Sequence, residues 1–197
     1  MNRKIAKQNL LEVKRILDKY KIRFWLNTGT LLGAMREKDF ILWDHDIDLR
    51  IKVTEWKDIA QKAFQKAGFK CRLVHPPYAL EMPIIKYLQL TRIDSCPINL
   101  AFAHYYRPDD VYITWAKKPD NIGNLTPAHF YRHDEFIKFL GTKFLVPYKS
   151  VSFLVRVYGQ RWKTPIKERE GCWAPKHHIK LDKYLKWFKG HPEELHL

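Results

Sequence analysis

Three aspartates stand at every second position of one short segment: Asp44, Asp46 and Asp48. In an extended strand successive side chains point to opposite faces, so these three carboxylates would share one face. Like charges crowded on one face repel each other, and a divalent cation is the compensation that suits them best. Because Mg²⁺ binds carboxylate oxygens and usually also takes substrate phosphates as ligands, the spacing predicts metal-assisted chemistry on a phosphate ester.

Upstream of these acids, Gly29 and Thr30 form a small-residue turn that we expect to open a short helix. Backbone N–H groups at a helix start bind phosphate, a glycine lets the backbone approach the ligand, and Thr30 adds a hydroxyl donor. Arg36 follows about one or two helical turns later, and a guanidinium group suits a phosphate. An ordinary helix start with a surface arginine has the same sequence pattern, so this turn is weaker evidence than the acids.

A further acid, Asp94, ends an apolar segment, residues 84–93, that we expect to be a strand. If this strand lies beside the acidic one, Asp94 joins Asp46 and Asp48 in a cage of three carboxylates. Alternatively, Asp94 caps the end of the strand before the Ser-Cys-Pro of residues 95–97. The residues alone favour neither interpretation.

The elements that must position these residues follow from the hydrophobic pattern. Apolar residues at helical spacing predict helices over residues 5–20, 55–67, 150–158 and 179–188, with Thr54 as the N-cap of the second, and a brief helix over residues 31–35. β-prone segments predict strands over residues 22–26, 46–53, 70–74, 83–94, 99–103 and 111–115, and a hairpin over residues 135–146. Helices alternating with strands predict an α+β (mixed α/β) domain.

The composition is that of a globular protein. The chain has 197 residues, of which 46% are hydrophobic, and this length suits one domain with a real core. No apolar run approaches the roughly 18 to 20 residues that span a bilayer. Because the first residues lack the apolar core of a signal peptide and the three cysteines, Cys71, Cys96 and Cys172, lie far apart, we expect a cytoplasmic protein in a reducing compartment.

The formal charge of +15 calls for an acidic partner or a structural reason. Lysines and arginines concentrate in residues 4–23 and 176–189, where solvated helix faces explain most of them. We expect these basic ends to allow peripheral contact with an anionic membrane or a polyanionic acceptor. No DNA- or RNA-binding motif is present, so we expect no specific nucleic-acid partner.

Several blocks of the chain resemble the LicD/fukutin-related transferases of the nucleotidyltransferase superfamily. The first two are Gly-Thr-Leu-Leu-Gly-Ala-Met-Arg at residues 29–36 and Ile-Leu-Trp-Asp-His-Asp-Ile-Asp at residues 41–48. Arg-Ile-Asp-Ser-Cys-Pro at residues 92–97 is similar to the family's third-aspartate strand. Residues 144–147 and 158–165 resemble its Val-Pro and Tyr-Gly…Trp…Pro block. The resemblance covers about residues 5 to 165 in the family's order.

This resemblance implies a nucleotidyltransferase-like mixed sheet flanked by helices and a transferase activity. The enzyme would move a phospho-alcohol, such as phosphocholine or a polyol phosphate, from a CDP-linked donor to a glycan or glycolipid hydroxyl, with Mg²⁺ or alternatively Mn²⁺. Asp46 and Asp48 would bind the metal, and Asp94 would be the third acid, as a ligand or as the base for the acceptor hydroxyl. Asp44 would orient the metal-bound waters. The donor diphosphate would be held by Gly29, Thr30 and Arg36.

Two other functions remain open on the sequence. The same acids would serve a nucleotidyltransferase that adds a nucleoside monophosphate to a small molecule, a protein or an RNA end. A non-enzymatic, basic nucleic-acid-binding module would explain the charge but not the acids. Cys172 with His177 and His178 has an incomplete zinc spacing and lacks a clear fourth ligand.

The resemblance also suggests a division of the chain. We expect residues 1–165 to form the nucleotidyltransferase-like catalytic domain. We expect residues 166–197 to form a small, basic, helical extension that packs on or beside this domain. The extension is charged and rich in tryptophan and lysine, which is typical of an amphipathic helix that covers a neighbouring surface.

Overall fold

A computed structural model describes residues 1–74, 87–115, 122–166, 178–180 and 182–191. The helices are α1 (Arg3–Lys19), α2 (Thr28–Arg36), α3 (Ile59–Lys66), α4 (Ser150–Tyr158) and α5 (Asp182–Gly190). The strands are β1 (Trp25–Leu26), β2 (Ile47–Lys52), β3 (Lys70–Val74), β4 (Tyr87–Thr91), β5 (Ile98–Tyr106), β6 (Val111–Trp115), β7 (Ile122–Pro127), β8 (Glu135–Phe139), β9 (Thr142–Val146) and β10 (His178–Lys180). Within the described part of the chain, no helix is long and apolar enough to cross a membrane.

The strands form a mixed sheet, which confirms the α+β prediction. The main sheet has the order β1-β2-β5-β6-β7-β10, and β4 pairs with both β3 and β5. Strands β8 and β9 form the predicted hairpin as a separate two-stranded sheet. Among the described strand pairs, β2 and β5 run parallel and all the others run antiparallel. The acidic strand β2 therefore has β5 as its parallel neighbour.

The alternating polarity of β2 decides which of its faces meets the core. Ile47, Leu49 and Ile51 are fully buried, whereas Asp48 and Lys52 on the other face are half-buried. A shift of one residue in the pairing would bury the charged side chains and expose the apolar ones, so this register is strongly specified. The carboxylates are thereby placed on the face of the sheet that is opposite Leu49.

Two helices support the acidic strand. Helix α1 contributes to the hydrophobic core, and helix α2 begins beside β2. Helix α1 buries Leu10, Val13 and Leu17 completely, and its first turn is capped by Asn2, whose side chain accepts a hydrogen bond from the Ile5 N–H at 3.3 Å. This confirms the predicted first helix. Helix α2 packs against β2 and α4. Its start therefore lies at the strand that carries the acids.

The helix that was expected to begin at Thr54 begins later. Residues Val53–Glu55 form a short 3₁₀ helix, and the following Trp56 is extended. The ring of Trp56 packs edge-on against Phe102 of β5 with the ring centroids 5.2 Å apart. Packing of this large aromatic side chain onto the sheet outweighs the capping preference of Thr54, so the N-cap prediction is wrong.

The described C-terminal residues join the main sheet. Residues 178–180 form β10, which extends the sheet by pairing with β7, so residues 179 and 180 are in a strand and not in the predicted helix over 179–188. Pairing with an open strand edge satisfies backbone groups that would otherwise remain exposed. Helix α5 then buries Tyr184 and Phe188 against Tyr106 of β5. The domain boundary at residue 165 stays a prediction.

Replacing Phe188 with alanine tests whether α5 is part of the fold. The substitution removes a fully buried ring beside Tyr106 and His104, so we expect a loss of about 3–5 kcal/mol in the free energy of unfolding, measured by urea denaturation. Lys186→Ala on the exposed side of the same helix is the control, and it should change stability by less than about 0.5 kcal/mol. Equal effects of the two substitutions would contradict the docking of α5.

Candidate active site

The start of α2 holds Asp48 in place. The hydroxyl of Thr28 donates a hydrogen bond to Asp48 Oδ2 at 2.5 Å, and the backbone N–H of Asp48 donates to Thr30 Oγ1 at 2.8 Å. The Asn27 N–H donates to the Asp48 carbonyl at 3.1 Å. Both the backbone and the carboxylate of Asp48 are therefore fixed by residues 27–30 at the start of α2.

An asparagine on β5 joins the two central acids. Asn99 stands opposite Asp48 in the parallel register. Its Nδ2 donates to Asp46 Oδ2 at 3.0 Å and to Asp48 Oδ1 at 3.3 Å, while its Oδ1 accepts from Gln89 Nε2 of β4 at 3.2 Å. An ionised carboxylate can accept hydrogen bonds but cannot donate them. The NH₂ group of the Asn99 amide must therefore face the acids.

The three aspartates of the segment perturb one another. Burial, followed by the charges of Asp48 and Asp44, raises the pKa of Asp46 to about 7. Burial also raises the pKa of Asp44, although the His45 backbone N–H stabilises its carboxylate by donating at 2.9 Å. Crowded carboxylates of this kind are expected where a cation or a proton compensates their charge.

Gly29 makes room for Asp44. A Cβ atom added to Gly29 would lie 2.4 Å from Asp44 Oδ2, well inside the contact distance. The carboxylate of Asp44 therefore lies directly on the first turn of α2. The role expected for Gly29 was close approach of the backbone to a ligand, and the structure shows close approach to a carboxylate of the same chain.

Thr30 and Arg36, both expected to hold donor phosphates, have other contacts in the structure. Thr30 is 3% exposed, and its oxygen accepts from the Asp48 backbone. Arg36 forms an ion pair with Glu37, at 2.7 Å from Nε to Oε1, and its Nη1 donates to the Trp162 carbonyl at 3.2 Å. Arg36 thus ties α2 to the Tyr-Gly…Trp…Pro block. A role of either residue in phosphate binding stays a prediction.

Asp94 lies in a turn rather than in a strand. Strand β4 ends at Thr91, and Asp94 is exposed in the following turn with a left-handed φ of 58°. The turn is closed by the Ser95 N–H, which donates to the Arg92 carbonyl at 3.3 Å. The predicted strand therefore ends before Asp94, and a role of Asp94 as the third acid stays a prediction. Residues 83–86 of that prediction lie outside the described residues.

The position expected for the third acid is taken by Asn99. In the described residues, no group of three histidines, cysteines, aspartates or glutamates converges in a way that could hold a metal. The structure brings together two carboxylates, Asp46 and Asp48, with an amide between them. Asn99 was not predicted because the candidate metal ligands in the sequence were all acids. The signal that could have identified it is its place at the start of the predicted strand 99–103. Cys172 and His177 of the zinc alternative lie outside the described residues.

Comparison with known proteins gives one family. The family model described as LicD/FKTN/FKRP, nucleotidyltransferase domain, matches residues 21–149. Human ribitol-5-phosphate transferase FKTN is 30% identical over 167 residues, which is 84% of this chain and 34% of that protein. Lipopolysaccharide cholinephosphotransferase LicD of Haemophilus influenzae is 41% identical over 59 residues, or 29% of this chain and 22% of that protein. The chain thus spans about a third of the length of FKTN.

Two solved structures have a similar shape, and one of them is named as an adenylyltransferase. The lincomycin-bound lincosamide antibiotic adenylyltransferase LnuA has a TM-score of 0.49 and 12% identity, over 74% of this chain and 84% of that one. The antibiotic-resistance factor ANT(2'')-Ia has a TM-score of 0.48 and 14% identity, over 98% of this chain and 88% of that one.

The contact between Gly29 and Asp44 can be tested by a double-mutant cycle. Gly29→Ala should lower stability by about 1–3 kcal/mol, because the new Cβ meets Asp44 Oδ2. In an Asp44→Ala background the same substitution should cost less, since the obstructing oxygen is gone. Urea unfolding of the four proteins gives the coupling energy.

Gly190→Ala is the control for that cycle, because an added Cβ meets no atom within 4 Å there. It should cost the same with and without Asp44. If Gly29→Ala is equally destabilising in both backgrounds, the carboxylate of Asp44 does not occupy the space above Gly29.

Proposed function

The chain belongs to the LicD/FKTN/FKRP family, and we propose that it is a Mg²⁺-dependent transferase that moves a phospho-alcohol from a CDP-linked donor to a hydroxyl of a glycan or glycoconjugate. The observation that carries this proposal is the pairing of Asp46 and Asp48 through Asn99. Relatives named for ribitol-5-phosphate and cholinephosphate transfer support the phospho-alcohol class. The donor and the acceptor are inferred from that class.

The paired carboxylates fit a magnesium ion. Mg²⁺ is commonly held by one or two carboxylates, with water and substrate phosphates as the remaining ligands. Asp46 and Asp48 supply two such carboxylates, and burial together with the charges of Asp48 and Asp44 raises the pKa of Asp46, so a cation beside it would stabilise the ionised form. The ion, when bound, would neutralise charge on the transferred phosphate and on the leaving oxygen. With an amide at the third position, we expect one cation bound by protein carboxylates rather than two.

The reaction class defines what the residues of this chain must do. The acceptor oxygen forms a bond to the phosphorus of the phospho-alcohol, the bond from that phosphorus to the nucleoside monophosphate breaks, and the hydroxyl proton is released. In such transfers, catalysis is mainly positioning and charge neutralisation. Thr28 and Asn99 would provide the positioning, because they fix the orientation of the Asp48 carboxylate before substrate arrives. Asp44, on the first turn of α2, would orient water around the site.

Replacing both central acids tests the activity. Asp46→Asn with Asp48→Asn should reduce CMP release from CDP-ribitol or CDP-choline by about a hundredfold or more, since several kcal/mol of charge stabilisation would be lost. The Mg²⁺-dependent rise in melting temperature should disappear as well. Asp18→Asn, an exposed acid on α1, is the matched control and should leave both unchanged. Unaltered turnover in the double variant would refute the site.

The same assay separates the two enzymatic alternatives. A phospho-alcohol transferase releases CMP from a CDP-linked donor. A nucleotidyltransferase releases pyrophosphate from a nucleoside triphosphate. Turnover of triphosphates alone would replace the proposed function with nucleotide transfer at the same acids.

A change at Asn99 tests the number of carboxylates in the site. Asn99→Asp should lower the dissociation constant for Mn²⁺ by about tenfold or more, because a third carboxylate would face the ion. The metal-free variant should be less stable, since the shared donor is replaced by a like charge. Titration calorimetry and urea unfolding measure the two effects. Gln89→Glu places an acid behind Asn99, and a similar gain in Mn²⁺ affinity from it would show a general charge effect instead.

A further inference from the structure

The face of β2 that carries the acids continues into two basic residues. Asp46 and Asp48 are followed on the same face by Arg50 and Lys52, because alternate residues of a strand share a face. In the parallel register, Arg50 stands opposite Ala101 of β5 and Lys52 stands opposite Ala103. Ala101 is partly exposed, whereas Ala103 is buried. The polar side chains of this face thus run from the half-buried carboxylates to a largely buried arginine.

Arg50 is a buried cation beside the hydroxyl of Tyr131, without a carboxylate partner among the described residues. It is 8% exposed, and within the described part of the chain its Nε and Nη1 have no hydrogen-bond acceptor. No carboxylate among the described residues forms an ion pair with it. A buried cation without a partner is costly, and buried donors without acceptors are rare enough to need an explanation. An anion bound only in the functional state provides one.

The surroundings of Arg50 supply further donors. Trp25 of β1 lies opposite Arg50 in the antiparallel register, and its indole Nε1 is also buried without an acceptor. The Lys52 ammonium lies 5.3 Å from the Trp25 ring centroid and donates to the Tyr131 carbonyl at 3.0 Å. Lys52 is half-buried, and burial lowers its pKa, whereas Glu55 and Asp134 act in the opposite direction. Weak hydration strengthens attraction for an anion.

We propose that Arg50, supported by Lys52, binds the phosphate that leaves with the nucleotide, next to the metal-binding carboxylates. Two residues along a strand are about 7 Å apart, so one diphosphate can contact a cation at Asp48 and the guanidinium of Arg50 together. As the bond to the nucleoside monophosphate breaks, its electron pair stays on the leaving phosphate, where a guanidinium fork binds oxyanions well. The choice of a nucleotide phosphate rests on the proposed function, whereas anion binding at Arg50 does not.

Replacing Arg50 with methionine tests the subsite without turnover. In EDTA, CMP and inorganic pyrophosphate should raise the melting temperature of the wild type. We expect Arg50→Met to weaken binding of both ligands by about tenfold or more, since a charged hydrogen-bond donor is lost. The ligand-free variant should be at least as stable as the wild type, because methionine fills the space without a buried charge. Lower stability together with unchanged CMP binding would show a structural arginine and overturn the proposal.

A matched control and a second measurement complete the test. Arg156 is also partly buried, but its Nη2 donates to the Leu125 carbonyl at 3.0 Å, so Arg156→Met should lose stability and keep CMP binding. If Arg50→Met does not fold, a crystal structure of the wild type with CMP decides. A phosphate hydrogen-bonded to the Arg50 guanidinium supports the subsite, and a phosphate bound elsewhere refutes it.

Different ligands distinguish a nucleotide phosphate from free phosphate. They also distinguish the Arg50 subsite from the proposed transferase function. CMP binding tighter than that of both cytidine and inorganic phosphate supports the leaving nucleotide, whereas equal binding of CMP and inorganic phosphate would overturn that assignment. Loss of pyrophosphate binding in Arg50→Met supports the anion site even if no CDP-linked donor is turned over, an outcome that would refute only the proposed function. If Arg50→Met binds anions normally while the double aspartate variant loses turnover, only the Arg50 subsite is refuted.

Discussion

The site depends on one shared hydrogen-bond donor, the amide of Asn99 between the carboxylates of Asp46 and Asp48. Two half-buried acids that repel each other are stabilised side by side by such a donor or by a cation. The donor is in place because β2 and β5 are parallel and Asp48 is aligned with Asn99. A slip of one residue would turn Asn99 towards the opposite face, so the burial of Leu49 and Leu100 on that face fixes the polar geometry as well.

The start of α2 also holds the acids of the site in position. The Gly-Thr turn looked like a phosphate cradle, but its nearest partners are groups of the chain itself. Thr28 and Thr30 bond to Asp48, and Gly29 leaves space for Asp44. A segment whose side-chain and backbone groups are satisfied in this way is rigid before any ligand binds, which lowers the entropic cost of assembling the site. The turn thus helps the acids whether or not it also binds phosphate.

Elements with a strong local pattern could be predicted from the sequence. The helix over Ser150–Tyr158 and the acidic strand follow from apolar periodicity, which depends only on near neighbours in the chain. Asn99 could not be identified in this way, because its importance comes from a register with a strand about 50 residues away. The cap at Thr54 failed for a similar reason, since contact of Trp56 with β5 overrode a local preference. The family resemblance rests on short sequence motifs, so these errors in local structure did not affect it.

The attachment of the last described residues to the sheet has a consequence for biosynthesis. When the ribosome has completed only residues 1–166, the edge of β7 and the ring of Tyr106 still lack β10 and α5, which cover them in the folded protein. An uncovered strand edge beside an aromatic surface favours association between nascent chains. The acidic half of the sheet can already form at that stage, because both β2 and β5 have been made. Because β2 and β5 precede β10 and α5 in the chain, the site can assemble early, whereas the elements that protect against aggregation are made late.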